Sequence, residues 1–315
     1  MEDKFIEYIR SQRRYSPRTA DLYRSAIGEF CAFACPEADG PLADERLKEV
    51  LTPQLVRGFI AQGLEDGLSA RTMNLKLSAL SSFCNWLVRS GFLTSNPVRK
   101  VYRPKEDRPL PQFYTQPSME ALLAASAAQG AEAAVASEDG KEPFAHLRDR
   151  MIILTLYSTG MRRAELCGLK VSDFDSGRQV LRVTGKGDKT REIPVPDRIC
   201  KELLLYLQRL NEFCQGASAI WFFVTDKGNK LYPAFVNNVV GKALAGQQGF
   251  TGKKSPHVLR HTLATHLLNN GADINSIKEV LGHASLAATQ VYTHNSFEQL
   301  KQTYLTAHPR AKKRR

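Results

Sequence analysis

Apolar residues in the first hundred positions recur three and four apart, the spacing that lines one face of a helix. Four helices follow from it: FIEYIRSQR, SPRTADLYRSAIGEFCAFA, TPQLVRGFIAQGLEDG and SARTMNLKLSALSSFCNWLVRSG. Ser16 before Pro17, Thr52 before Pro53, and Ser69 each offer a side-chain oxygen to open amides, and proline suits the first helical position. Gly91 ends the fourth helix, and TSNPV breaks the pattern. With Leu22, Ile27 and Phe30 on one helix and Leu75, Leu77, Leu80, Phe83, Trp86 and Leu87 on another, residues 1–103 are predicted to form an all-α bundle.

Residues 103–118, RPKEDRPLPQFYTQPS, carry four prolines and both signs of charge, so residues 104–116 read as a linker between domains. An Ala-rich segment, 121–136, then runs into SEDGKEP, where a surface loop over about 129–143 is expected. From Phe144 the pattern becomes mixed. FAHLRDRMIILTLYSTG and MRRAELCGLK read as helices, and QVLRVTGKGDKTREIPV as two strands joined at GKGDK. Helices follow in RICKELLLYLQRLNEF, YPAFVNNVVGKAL, HVLRHTLATHLLNN, INSIKEVLG and SLAATQVYTH. The predicted fold is mainly α with a small antiparallel β-sheet: an all-α N-terminal domain, a mixed α/β domain over 117–307, and a basic tail, 308–315.

Composition narrows the function. At 315 residues, with a mean hydropathy of −0.32 and no apolar run approaching the roughly 20 residues of a membrane span, no membrane role is expected. The N-terminus lacks the apolar core and cleavage site of a secretory signal, so a cytoplasmic location is expected. A net charge of +12 and a pI near 9.5 favour polyanions, with the excess concentrated in the second part: 27 Lys/Arg against 18 Asp/Glu over residues 109–315, and 17 against 14 over residues 1–108. Six cysteines include no CxxC pair and sit in apolar helical patterns, which reads as buried free thiols and no metal.

Six residues carry candidate chemistry: Arg162 in TGMRRAEL, Lys186 in VTGKGDKT, His257 and Arg260 in SPHVLRHTLATHL, His283 in LGHASL and Tyr292 in TQVYTH. Breaking a phosphodiester by transesterification needs a nucleophile, neutralisation of charge on the phosphoryl oxygens, and a proton donor for the departing oxygen. Arginines present planar forks to phosphate oxygens, which favours Arg162 and Arg260 as clamps. His257 and Arg260, three apart, share a face of a helix that Ser255 is expected to cap and Pro256 to begin. Lys186, between two glycines at a hairpin tip, is a candidate general acid, and Tyr292 is a phenol that needs basic or cationic help near neutral pH. No Asp/Glu cluster resembles a two-metal site, so no cofactor is expected.

In these six positions the second domain resembles the catalytic domain of the tyrosine recombinases, also called the phage integrase family. The resemblance implies that Tyr292 forms a 3′-phosphotyrosyl link to DNA, that Lys186 protonates the 5′ oxygen, that His257 handles the tyrosine proton, and that Arg162, Arg260 and His283 hold the phosphate. It also places Glu165 at an acidic position that supports the site. Across YSPRTADLYR, THLLNNGADINSIKEVLGHASLAATQVYTH and FEQLKQTYLTAHPRA the chain is similar to the Xer recombinases. That likeness implies chromosome dimer resolution at cell division, an N-terminal domain that clamps DNA, and an inverted-repeat site on double-stranded DNA. It further implies a homo- or hetero-tetramer with a related recombinase, tied by a last helix in which Phe297, Leu300, Tyr304 and Leu305 are apolar, with a DNA translocase as a candidate further partner.

Competing readings are also defined. Arg14, Arg18, Arg71 and Lys76 form either a solvated face or a DNA-facing one. His261 and His266 read as core or supporting histidines, and Tyr157 and Tyr304 as buried tyrosines. HVLRH lacks the Glu of a zinc-protease HExxH, and GKGDKT lacks the GK[ST] of a nucleotide-binding loop. Phage or mobile-element integration, type IB topoisomerase-like relaxation and non-catalytic DNA binding are the alternative functions.

Overall fold

A computed structural model describes the chain apart from residues 39, 41, 107–112, 138–139, 186–188, 217–218, 246–253, 283–303 and 310–315, and apart from the side chain of Lys278. It divides into two compact units, Met1–Pro109 and Leu110–Arg315.

The first unit is helical: α1 (Glu2–Ser11), α2 (Pro17–Ala34), α3 (Asp44–Val50), α4 (Pro53–Glu65) and α5 (Ala70–Arg89). The hydroxyls of Ser16, Thr52 and Ser69 accept the amides of Thr19, Leu55 and Thr72 at 3.2, 3.3 and 3.2 Å, which satisfies one of the open donors at each helix start. Phe5, Ile27, Phe30, Met73, Leu77, Phe83 and Leu87 fill the core. Leu22 and Leu75, expected there, are instead 61% and 65% exposed. At about 100° per residue, Leu22 lies about 140° from Ile27, and Leu75 about 160° from Leu77, so neither shares the buried face. Helix α3 had no counterpart in the periodicity, because its seven residues turn only Leu47 and Val50 inward. Beyond α5, Asn74 Nδ2 donates to the Pro104 carbonyl and to Glu106 at 2.9 Å each, and Arg103 Nη1 donates to Ser78 Oγ at 2.9 Å, which fixes residues 103–106 on α5.

The second unit begins with α6 (Gln116–Val135) and α7 (Phe144–Thr159). Helix α6 extends through residues 129–135, where a loop was expected. Alanine favours helix, and Gly130 is tolerated because it faces Glu142, whose carboxylate lies 2.3 Å from where a Cβ would stand. Then come α8 (Arg163–Gly168), β1 (Phe174–Asp175), β2 (Val180–Thr184), β3 (Thr190–Pro194), α9 (Asp197–Phe213), α10 (Pro233–Ala245), α11 (Pro256–Asn269) and α12 (Ile274–Leu281). The strands form an antiparallel sheet in the order β1-β2-β3, with Leu181 opposite Ile193 and Val183 opposite Arg191. Helix α7 is buried nearly throughout from Met151 to Thr159, and α9, α10 and α11 close over it. Residues 304–307 form a helical turn whose Tyr304 and Ala307 are buried in the same core.

All six cysteines are free, four of them buried, and burial pushes the thiols of Cys31 and Cys84 up to about 11 and about 12. Among the described residues no helix is long and apolar enough to cross a membrane.

Candidate active site

Helix α7 ends at Gly160, whose φ of +60° lets the backbone reverse at once into α8. Arg162 therefore sits at the N-cap of α8, with Glu165 one turn on. A left-handed residue, Gly282 (φ +65°), likewise ends α12. The last carbonyls of a helix have no partner within it and carry the negative end of its dipole, so this terminus suits cations. Three arginines distant in sequence converge on it. Arg191 Nε donates to the Val280 carbonyl at 2.9 Å, Arg260 Nη2 to Leu281 at 2.6 Å, and Arg162 Nη2 to Gly282 at 2.6 Å. Arg260 also donates through Nη1 to the Gly160 carbonyl at 2.6 Å, which ties the two glycine turns together.

Glu165 links two of these guanidinium groups. Its side chain is 3% exposed and accepts the Arg162 amide at 2.7 Å, Arg162 Nη1 at 2.8 Å, and both terminal nitrogens of Arg191 at 3.0 and 2.8 Å. Burial alone would raise this carboxyl, but the bonds from Arg191 and from Arg162 outweigh it and hold the group below the ordinary carboxylate value. Arg260, 5% exposed, is pulled down to about 10 by burial and by the facing charges of Arg162 and Arg191. It remains protonated at neutral pH. A five-donor guanidinium that uses one or two hydrogens on carbonyls keeps others for an incoming oxyanion.

His257 lies on the first turn of α11, exposed, three residues before Arg260. Partial burial, then Arg260, His261 and Arg162, push its imidazole below the ordinary histidine value, so it is neutral near pH 7 and able to accept a proton. Pro256 occupies the first turn as expected. Ser255 stands at the N-cap with extended backbone, but its hydroxyl makes no capping bond. Its carbonyl takes the Val258 amide at 3.0 Å instead.

The described residues thus bring Arg162, Glu165, Arg191 and Arg260 into one network, with His257 near enough to Arg162 and Arg260 for their charges to act on it. Lys186, His283 and Tyr292 lie outside them: Lys186 in the connection between β2 and β3, and His283 directly after Gly282 in sequence. Arg14, Arg18 and Arg71 are exposed on the first unit, whereas Lys76 pairs with Glu29 and is 18% exposed. His266 is buried, with Nε2 donating to the Tyr114 carbonyl at 2.8 Å and Nδ1 accepting the Tyr157 hydroxyl at 2.9 Å, which explains two residues as structural. Among the described residues no group of three or more His, Cys, Asp or Glu is placed to hold a metal ion.

Arg191 is not among the six residues that the sequence motifs single out. Its signal was available: two residues before Ile193 on a strand, it falls on the face that Ile193 turns inward, so it is a charge aimed at the core and in need of a partner.

Residues 126–299 match the Phage integrase family and residues 3–91 match the Phage integrase N-terminal SAM-like domain. The chain belongs to the phage integrase family, and it is a tyrosine recombinase, an enzyme that cuts and rejoins DNA. Among its relatives are the tyrosine recombinase XerC of Bacillus licheniformis, 37% identical over 98% of this chain and 96% of the relative, and that of Psychromonas ingrahamii, 34% identical over 99% and 97%. Similar solved structures include the Tn1549 transposon integrase in complex with transposon right end DNA (TM-score 0.66, 19% identity, 96% of this chain and 98% of that one). The XerH site-specific recombinase bound to difH substrate gives a TM-score of 0.64 at 19% identity, over 95% and 83% of the two chains. These structures share the fold.

Proposed function

We propose that this recombinase acts at short inverted-repeat sites and resolves chromosome dimers during segregation, with Tyr292 as nucleophile. The Tyr292 oxygen attacks the scissile phosphorus and passes its proton to neutral His257. A bond forms from phosphorus to the tyrosyl oxygen as the bond to the 5′ oxygen breaks, and Lys186 supplies that oxygen with a proton. Arg162, Arg260 and His283 hold the phosphoryl oxygens, and Glu165 aligns Arg162. The reverse steps, with a 5′ hydroxyl from another strand, rejoin the DNA, and the phosphotyrosine keeps the bond energy so that no nucleotide is consumed.

The observation that carries this reading is the convergence of Arg162 and Arg260 on adjoining carbonyls beside a neutral His257. Relatives of 33–37% identity named XerC favour dimer resolution over integration. Assembly as a homo- or hetero-tetramer on two duplexes belongs to the same proposal, as does DNA contact through Arg14, Arg18 and Arg71; a DNA translocase as a further partner and a cytoplasmic location follow from the Xer-type role. Lys76, engaged by Glu29, is the weakest of the four DNA contacts.

The test is a nicked suicide duplex carrying the recombination site. Wild-type protein should accumulate a covalent adduct, and Tyr292→Phe should bind the duplex without forming one. An adduct that persists in Tyr292→Phe would refute the nucleophile.

A further inference from the structure

Arg191 takes three roles in one side chain. Its bidentate fork engages both oxygens of Glu165, its Nε donates to the Val280 carbonyl, and its stem fills the space beneath Gly282, where a Cβ would meet Arg191 atoms at 3.1 to 3.2 Å. The side chain is 15% exposed, and it is fixed by β3, whose partner strand β2 leads into the Lys186 connection. It therefore joins the strand pair, the turn before His283 and the carboxylate beneath Arg162.

Charge balance shows why a second arginine is needed there. A buried carboxylate with Arg162 as its sole cation would draw that guanidinium down and cancel its charge. A second fork satisfies both oxygens of Glu165, so Arg162, whose side chain is 41% exposed, keeps guanidinium hydrogens that its bonds to Glu165 and Gly282 do not use. Four charged groups then sum as three guanidinium cations against one carboxylate, which leaves two net positive charges for a phosphate.

We propose that Arg191 is a positioning residue for strand cleavage, acting through Glu165 to keep Arg162 available to the scissile phosphate and through Val280 and Gly282 to hold the turn that precedes His283. It touches no reacting atom. The inference rests on the reading of Arg162 as a phosphate clamp.

Adduct formation on the suicide duplex, DNA affinity and thermal melting would be measured for Arg191→Ala, Arg191→Lys, Glu165→Gln and the double variant Arg191→Ala/Glu165→Gln. Misplacing a clamp by about 1 Å costs on the order of 100-fold, so Arg191→Ala should cleave about 100-fold slower with DNA affinity retained. Arg191→Lys, which keeps charge without the fork, should lose about tenfold. The decisive readout is the double variant. With Glu165 neutral, Arg162 is released, and cleavage should recover at least about tenfold over Arg191→Ala. A purely structural role predicts no recovery, and a double variant no faster than Arg191→Ala overturns the proposal, as does a wild-type rate in either of the two Arg191 variants. If Arg191→Ala fails to fold, Arg191→Lys against its own melting curve decides. Arg162→Ala in parallel separates the two readings: if it cleaves normally, the clamp itself is wrong, whereas a dead Arg162→Ala beside a fully active Arg191→Ala defeats this inference alone.

Discussion

Arg162 and Gly282 are 120 residues apart in sequence, yet the guanidinium of one donates to the carbonyl of the other at 2.6 Å. Two turns, each built on a left-handed glycine, make this possible: Gly160 ends α7 two residues before Arg162, and Gly282 ends α12. The guanidinium cluster is therefore set by backbone reversals as much as by the elements that carry it.

Gly282→Ala tests that dependence. A residue with a Cβ in the left-handed region costs about 1–2 kcal/mol, and here the new carbon would also press on the Arg191 side chain at 3.1 Å. Thermal melting should fall modestly, while cleavage of a suicide substrate should fall far more than DNA binding. A variant that melts lower but cleaves at the wild-type rate would show that the turn is not needed for alignment.

His257 predicts a pH dependence with a definite sign. Burial and neighbouring cations lower its folded value below 6.5, so the imidazole is neutral throughout pH 7–8, the state that the proposed proton transfer from Tyr292 requires. Single-turnover cleavage should decline only as pH drops below 6.5, with the midpoint shifted to the acid side of an ordinary histidine. His257→Gln should remove this acid limb and slow cleavage about 100-fold or more. An acid limb that survives in the variant would assign it to another group.

The long stretch at 126–143 is predicted to support the fold and to leave the chemistry alone. Glu142 accepts Arg150 Nη2 at 3.2 Å and pairs with His146, while the Glu142 carbonyl takes Arg209 Nη2 at 3.0 Å and Lys141 reaches Glu212 at 3.1 Å. These contacts hold the end of the stretch on α7 and α9. Glu142→Ala should cost about 1–3 kcal/mol, a loss of several degrees in melting temperature, and leave cleavage at 25 °C within about twofold. A large cleavage defect without a melting shift would point instead to DNA contact.

Much of this was readable from the chain because the signals were local. Ser16, Thr52 and Ser69 cap helices by bonding amides three residues on, and the HVLRH spacing puts His257 and Arg260 on one turn whatever surrounds them. What escaped depended on tertiary partners. Leu22 and Leu75 are apolar but off the buried face, α3 is stabilised by two inward residues, and the α6 extension past residue 129 depends on a glycine facing Glu142. Arg191 escaped because it has no motif of its own: only its place on a strand face, opposite the buried Val183, marks it. Glu165, by contrast, was identified through family likeness, and its four hydrogen bonds give that position a physical reason.

Tyr304 provides the sharpest control on the nucleophile. Its ring is 3% exposed in the core of the second unit, its hydroxyl donates to the Ser158 carbonyl, and burial pushes its phenol far above the usual tyrosine range. Such a group cannot ionise to attack phosphorus. Ser158 also accepts His308 Nε2 at 3.0 Å, so Tyr304→Phe leaves that carbonyl bonded and should cost only about 1 kcal/mol, with the same yield of covalent DNA adduct as the wild type. Tyr304→Ala removes the ring and should cost about 3–5 kcal/mol, which at this size lowers the melting temperature by on the order of 10 °C. The two substitutions separate packing from chemistry: Tyr304→Phe must keep the adduct that Tyr292→Phe loses. Were Tyr304→Phe to abolish the adduct with its melting curve unchanged, the nucleophile would have to be reassigned to the buried phenol.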